Sequence, residues 1–282
     1  MNMKIHKLIL TSLVVFCSLT SCKTAYELVL QGNDADAKYD MAFDYFNKGK
    51  YSKAAQLFES LSQLSEGTAR DDTVRFYWGL SNYRFKDYFT AETNLKDFFM
   101  TFPMSPFTEE ARFLQIDCLY KSTNRFELDQ TPSNTALAAI SSYLTDYPTT
   151  PRLDVCMSMI DDLAERMDRK AYENAKLYYK MEDYLAARVA LKNVLKDDAE
   201  NQYREDIMYY TAMASYKYAY LSVPEKQKER YLVFADDYFS FIGEFPDSEY
   251  RHTVDVLYKR SQKALGRFVG SEEELELDNK KI

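Results

Sequence analysis

Side chains that could attack, ligate a metal or move a proton near neutral pH are few in this chain. Two histidines, His6 and His252, and four cysteines, Cys17, Cys22, Cys118 and Cys156, make up the set in 282 residues. His6 lies in the N-terminal leader and is expected to leave with it, so no metal site built on two histidines fits one mature chain. Arg251 and Thr253 flank His252 and give it no support as the base of a nucleophile–histidine pair. The seven glycines form no loop able to cradle a phosphate. Paired acids occur at Glu109-Glu110, Asp161-Asp162, Asp197-Asp198 and Asp236-Asp237. Neighbours on a helix diverge by about 100°, which makes these solvated faces rather than acid–base pairs. The inventory predicts no enzyme, no cofactor and no metal.

One cysteine has a chemistry its surroundings specify. Met1 to Lys7 is polar and basic, Leu8 to Leu19 is an apolar run of 12 residues, and small Thr20 and Ser21 precede Cys22. That is the order of a secretory signal, and the run is too short to span a bilayer as a helix. Leu19-Thr20-Ser21-Cys22 resembles a bacterial lipobox. Residues 1–21 are then a lipoprotein signal peptide, and Cys22 carries the diacylglycerol and palmitate-type chains. Residues 22–34 link that anchor to the folded part. Several acyl chains hold a protein on a membrane without a transmembrane helix. Lys23-Thr24-Ala25 brings no acidic cluster behind the cysteine, which points to the periplasmic face of an outer membrane. The alternative is a secreted protein whose cysteine falls beside the cut by chance. Cys118 and Cys156 remain. An oxidising compartment permits a disulfide between them. Their apolar helical surroundings favour two buried free thiols.

The formal charge is −8, and without residues 1–21, which carry Lys4 and Lys7 and no acid, it becomes −10. Such a chain is repelled by phosphate backbones and by anionic lipid, so nucleic acid is not an expected partner. Tyrosine is abundant at 24, beside 18 phenylalanines, while glycine and proline are scarce at seven each. That balance disfavours an all-β fold. It suits helix-to-helix packing with phenol hydroxyls at a wet edge.

A repeat positions these rings. A step of 37 residues links Tyr51 to Tyr88, Ala54 to Ala91, Ala42 to Gly79, Arg75-Phe76 to Arg112-Phe113 and Tyr83 to Tyr120. Further copies run through Ile140 to Pro148, Ala175 to Ala187 and Phe241 to Pro246. Three exits share an aromatic before proline and a serine or threonine two places after it: Phe102-Pro103, Tyr147-Pro148 and Phe245-Pro246. Proline stops the helix, and the hydroxyl is expected to cap the next one. Small residues at helix crossings, an aromatic one turn on and a terminal proline match the tetratricopeptide repeat. The predicted fold is all-α, a superhelical solenoid of about five tetratricopeptide-type hairpins plus a C-terminal capping helix. Hairpins are expected at Ala35–Lys48 with Tyr51–Gln63, Asp72–Lys86 with Tyr88–Phe102, and Thr108–Asn124 with Thr135–Asp146. Phe126 to Asn134 reads as an insertion. Arg152–Lys180, as one helix or two, precedes Tyr184–Lys196, and Arg204–Leu221 pairs with Lys226–Phe245. Glu249–Phe268 is the cap. As domains, 35–150 holds repeats 1–3, 151–270 holds repeats 4–5 and the cap, and 271–282 is a disordered acidic tail.

In such repeats the first helix of each hairpin lines a concave groove. Helical spacing from Ala42 and Gly79 puts Tyr39, Phe43 and Phe46 on the groove side of the first repeat, and Phe76, Leu80, Tyr83 and Arg84 on that of the second. The third adds Phe113, Asp117, Tyr120 and Lys121. An aromatic wall edged by cations suits an extended peptide with aromatic side chains and a free carboxylate. The alternative is that these rings pack one hairpin on the next.

The lipobox, the five repeats and the mature length together resemble the BamD family of outer-membrane assembly lipoproteins. Phe126-Glu127-Leu128-Asp129-Gln130-Thr131, Ala136 and Tyr143 to Pro148 are similar to that family's third repeat. The resemblance covers nearly the whole mature chain. It implies a lipid-anchored component of the β-barrel assembly machinery on the periplasmic side of the outer membrane. The implied partners are the BamA insertase, accessory lipoproteins, and unfolded outer-membrane proteins recognised by a C-terminal signal. Client recognition would fall in the N-terminal repeats and insertase contact in Tyr178 to Tyr258. Two rival readings share most features: a scaffold of another cell-envelope complex, and a glycan-binding lipoprotein similar to SusD. The second normally carries a long extra domain, for which 282 residues leave no room.

Overall fold

Each alanine or glycine placed at a helix crossing by the 37-residue step is buried, and this explains why the chain pairs its helices as it does. A computed structural model describes residues 24–279; Cys22 and the signal segment lie outside the described residues. Twelve helices and no strand occur among the described residues, as the all-α expectation requires. They are α1 Ala25–Gln31, α2 Ala35–Asn47, α3 Tyr51–Ser62, α4 Asp71–Phe85, α5 Tyr88–Thr101 and α6 Thr108–Lys121. Then follow α7 Thr131–Asp146, α8 Leu153–Lys180, α9 Tyr184–Asp197, α10 Arg204–Tyr220, α11 Pro224–Glu244 and α12 Arg251–Asn279. None of the described helices is long and apolar enough to cross a membrane.

The helices divide into two compact units. The first holds the described residues up to Thr123 together with Thr131–Leu153, and the second holds Asn124–Gln130 and the residues from Asp154 on. In the first unit each helix from α2 to α7 packs on the next, and α4 also touches α6, so hairpins stack through their first helices. In the second unit the same order runs from α9 to α12, with α10 touching α12.

Close approach of the paired backbones is what the small residues allow. Ala42, Ala54, Ala91 and Ala187 are fully buried, and Ala175 nearly so. A methyl group on Gly79 of α4 would stand 2.8 Å from Leu95 Cδ2 of α5, closer than carbon atoms pack. Ala91→Leu should therefore overpack the second hairpin and cost about 1–3 kcal/mol, read as a fall in the denaturant midpoint at unchanged slope. Within three hairpins the turn is also repeated. Gly49, Lys86 and Glu182 all take the left-handed conformation, with φ of 72°, 69° and 64°. The residue after each donates its N–H back to the helix, as from Asp87 to the Asn82 carbonyl at 3.0 Å.

Several boundaries differ from the sequence reading. Residues 24–34 are not merely a linker, because α1 forms there. Thr24 and Glu27 cap it reciprocally: Glu27 N–H donates to Thr24 Oγ1 at 3.3 Å and Thr24 N–H to Glu27 Oε2 at 2.7 Å. The buried Lys38 ammonium donates to the Leu30 carbonyl at 2.7 Å and to Ser60, which ties the end of α1 to the first hairpin. α7 starts at Thr131, so the insertion is shorter than Phe126 to Asn134. Its turn is closed by the Gln130 amide, which donates to the carbonyls of Arg125 at 2.8 Å and Leu128 at 3.1 Å. Leu153–Lys180 is one helix. α12 continues through Asn279, so residues 271–279, expected as a disordered tail, are helical backbone.

The exits work differently from the expected caps. Ser105, Thr150 and Ser248 do not cap the following helix. Each side chain accepts instead from the N–H two residues on, at 3.3, 3.3 and 3.0 Å, and so folds a turn ahead of it. Thr68 and Asn201 do the same at 3.3 and 3.0 Å without a proline nearby. All five residues stand three places before α4, α6, α8, α10 or α12.

Tyrosine hydroxyls do not stay at a wet edge; many land on carboxylates of another helix. Tyr203 donates to Glu165 at 2.6 Å, Tyr238 to Asp255 at 2.7 Å and Tyr250 to Asp206 at 3.0 Å. Burial, then the neighbouring carboxylate, pushes each of these phenols up to about 12. Burial does the same for Tyr179. An unfolded tyrosine ionises near pH 10 (about 10). The stability these rings contribute is therefore complete below pH ~10 and lost as pH rises from ~10 to ~12. A series of unfolding midpoints across that window, with absorbance at the phenolate band, should show the midpoint falling as the phenols ionise.

Candidate functional site

Two adjoining recesses of the first unit flank the loop joining its first two hairpins. Residues 63–70 leave α3 and turn at Gly67, whose φ of 72° suits glycine. Asp71 at the head of α4 holds that turn: its carboxylate accepts from Gly67 N–H at 2.9 Å and from Arg75 Nε at 2.7 Å. The pinned loop delivers Arg70 over the ring of Tyr39, with the guanidinium 4.7 Å from the ring centre. Arg70 Nη1 also donates to Asp36 Oδ1 at 2.6 Å. Tyr39 and Arg70 form the polar side of a recess of about 290 Å³, whose apolar side is Leu61, Leu64 and Val74.

A second recess of about 490 Å³ adjoins it, sharing Thr68 and Ala69. Its wall is the exit Phe102-Pro103-Met104, with Asp72 and Pro106. Ser105 Oγ donates to Asp72 Oδ2 at 2.9 Å and Thr108 Oγ1 to the Phe102 carbonyl at 2.7 Å, which fixes the exit in place. Met104 is 93% exposed beside it. An aromatic ring under a cation, next to an exposed unbranched thioether, accepts varied apolar side chains and a negative group.

The other expected groove residues are placed differently. Phe76 is only 4% exposed and stacks on Phe107 at 4.5 Å, so it joins hairpin to hairpin and offers no face to a ligand. Phe43 packs edge-on against Phe58 and Tyr77, and Phe46 against Tyr51 and Tyr77. Leu80 is half-buried in the core of the second hairpin. Packing claims Phe76, whereas Phe43, Phe46 and Leu80 pack between helices and stay half-buried. Tyr83 donates to Asp117 Oδ2 at 2.6 Å, and Lys121 pairs with the same carboxylate while lying over the rings of Tyr83 and Tyr88. Burial and Asp117 raise the Tyr83 pKa. Burial opposes the charge of Lys121, yet Asp117 and Tyr83 together outweigh it and raise its pKa. Phe113 lies under the Arg152 guanidinium at 4.6 Å. Tyr120 is half-buried, and Arg84 is exposed with no ion pair to a described residue.

Helical spacing does not point to Arg70 and Met104, because both sit on loops. A signal was available: the 37-residue step also links Thr68 to Ser105, the two residues that shape those loops. The remaining cysteines, Cys118 and Cys156, are buried thiols that form no disulfide. Burial pushes the Cys118 thiol up to about 12, which leaves it inert. Among the described residues no three metal-ligating side chains converge.

A family model described as "YfiO: Outer membrane lipoprotein" matches residues 31–232 of the chain. No curated protein matches it. Among solved structures, the chain is similar to the TPR2AB-domain:pHSP90-complex of yeast Sti1, at 14% identity and a TM-score of 0.40, covering 81% of this chain and 98% of that one.

Proposed function

Because the chain belongs to the YfiO family of outer-membrane lipoproteins, we propose that it is a non-catalytic, lipid-anchored component of the β-barrel assembly machinery. It is held at the periplasmic face of the outer membrane through Cys22. It binds a BamA-like insertase with its accessory lipoproteins, and it receives unfolded outer-membrane proteins through their C-terminal signal. The observation that carries the client reading is Arg70, paired with Asp36 and poised over Tyr39, beside an apolar-floored recess and a second, mixed one. A terminal carboxylate next to an aromatic side chain meets a cation, a ring and an apolar floor there. Insertase docking in Tyr178 to Tyr258 is supported by a run of exposed apolar side chains, Tyr178, Met181, Leu185 and Val189.

Titration with a labelled peptide ending in phenylalanine tests the client site. Tyr39→Ala and Arg70→Gln should each weaken binding by about tenfold or more, and amidating the peptide's terminus should weaken it similarly. Equal affinity of both variants and of the amidated peptide would show that the recess is not the client site. A scaffold of another envelope complex remains the second reading. It shares the anchor and the repeats and differs in its partner.

A further inference from the structure

One cleft of the second unit carries three cations on its wall and no acid. α10, α11 and α12 enclose a cleft of about 620 Å³. Tyr216, Tyr220 and Tyr231 form its floor, and Lys217, Arg260 and Lys263 its rim. Tyr216 stacks parallel to Tyr220 at 6.1 Å and lies 6.0 Å from Tyr231. Tyr216 and Tyr231 are buried beneath the surface while Tyr220 is exposed, so the rings step from core to solvent.

The rim is wholly basic. Acidic residues outnumber basic ones, 44 to 36, yet no acidic side chain lines the cleft. None of the three cations forms an ion pair or side-chain hydrogen bond with a described residue. Several other cations of the second unit do meet a carboxylate. Arg188 and Lys192, for instance, both close on the buried Asp237 at 2.6 and 2.5 Å. Three cations left without counter-charges repel one another, at a cost that an arriving anion relieves. An aromatic floor beneath them asks for a ring or aliphatic chain next to that anion.

We propose that this cleft binds an acidic peptide segment of a partner protein, in which glutamate or aspartate residues flank an aromatic side chain. The aromatic side chain rests on the tyrosines and the carboxylates meet Lys217, Arg260 and Lys263. An anionic membrane surface fits less well, because the site is concave and the chain as a whole is negative. The proposal rests on the second unit alone and stands whether or not the first unit binds clients.

The probe is a fluorescein-labelled peptide, Asp-Glu-Asp-Phe-Glu-Asp, titrated into the full-length protein in detergent. Its partner probe carries Asn and Gln in place of the acids. Saturable binding is expected that weakens by about tenfold in the triple variant Lys217→Gln, Arg260→Gln, Lys263→Gln, and again in the Asn/Gln peptide. Binding should also fall with added salt. Arg70→Gln should leave it unchanged, which separates this site from the client recess. All three cations are on the surface of the fold, and an unchanged helical circular dichroism spectrum establishes that the triple variant is folded. Three results would overturn the proposal: no saturable binding by the wild type, equal binding by the triple variant, or capture of the protein by phosphatidylglycerol vesicles through the same three cations in place of the peptide.

Discussion

Truncating Phe58 to alanine should remove about 3–5 kcal/mol of stability. Phe58 is fully buried in α3, in the cluster with Ala42, Ala54, Leu57 and Val74. Its ring meets Phe43 of α2 edge-on at 5.1 Å and Tyr77 of α4 at 5.9 Å, so one side chain joins both helices of the first hairpin to the second. The small crossing residues hold the backbones close, which leaves nothing free to collapse into the space the ring vacates. The cavity persists and its cost adds to the lost burial. Phe89→Ala is the matched comparison. That ring is 83% exposed at the start of α5, and its loss should stay within about 0.5 kcal/mol. Denaturant unfolding of the two variants measures the contrast. Equal destabilisation would mean that hairpin stacking through these rings does not hold the fold.

Cys22→Ala should move the protein from the membrane pellet to the soluble fraction and abolish incorporation of labelled palmitate. One acyl chain gives only marginal, reversible membrane binding (an association constant of roughly 10⁴ M⁻¹), and two or more give stable anchoring. The described residues offer no substitute. None of the described helices can span a bilayer, and at −10 without residues 1–21 the chain is repelled by anionic lipid. The effect is therefore close to complete rather than partial. Palmitate incorporation that survives the substitution, or a variant that stays in the pellet, would refute the anchor.

The paired helices were legible because sterics leave few options at a crossing. Ala42, Gly79, Ala54 and Ala91 repeat at one spacing, and only small side chains fit there. The groove was less legible. On a helix of a stacked repeat, two faces can look alike in sequence, and Phe76 satisfies the spacing of a groove residue as well as that of a packing residue. Which face the next hairpin covers depends on the long-range placement of Phe107, which local periodicity does not encode. The Tyr39–Arg70 pair was hidden for a second reason. One member lies in a loop, and its position follows from the hydrogen bonds of Thr68, Gly67 and Asp71 rather than from any helical period. The turn device at Thr68, Ser105, Thr150, Asn201 and Ser248 shows how far a single sign can mislead. Proline marks three of these turns, but the hydroxyl or amide oxygen shapes all five.

The most direct test is a crosslinked pull-down from native membranes, with the protein tagged at its C-terminus and solubilised in mild detergent. A β-barrel insertase with periplasmic domains should be recovered as the principal crosslinked partner, through residues of Tyr178 to Tyr258. Recovery of cell-wall or division proteins without any such barrel would contradict the assignment to β-barrel assembly.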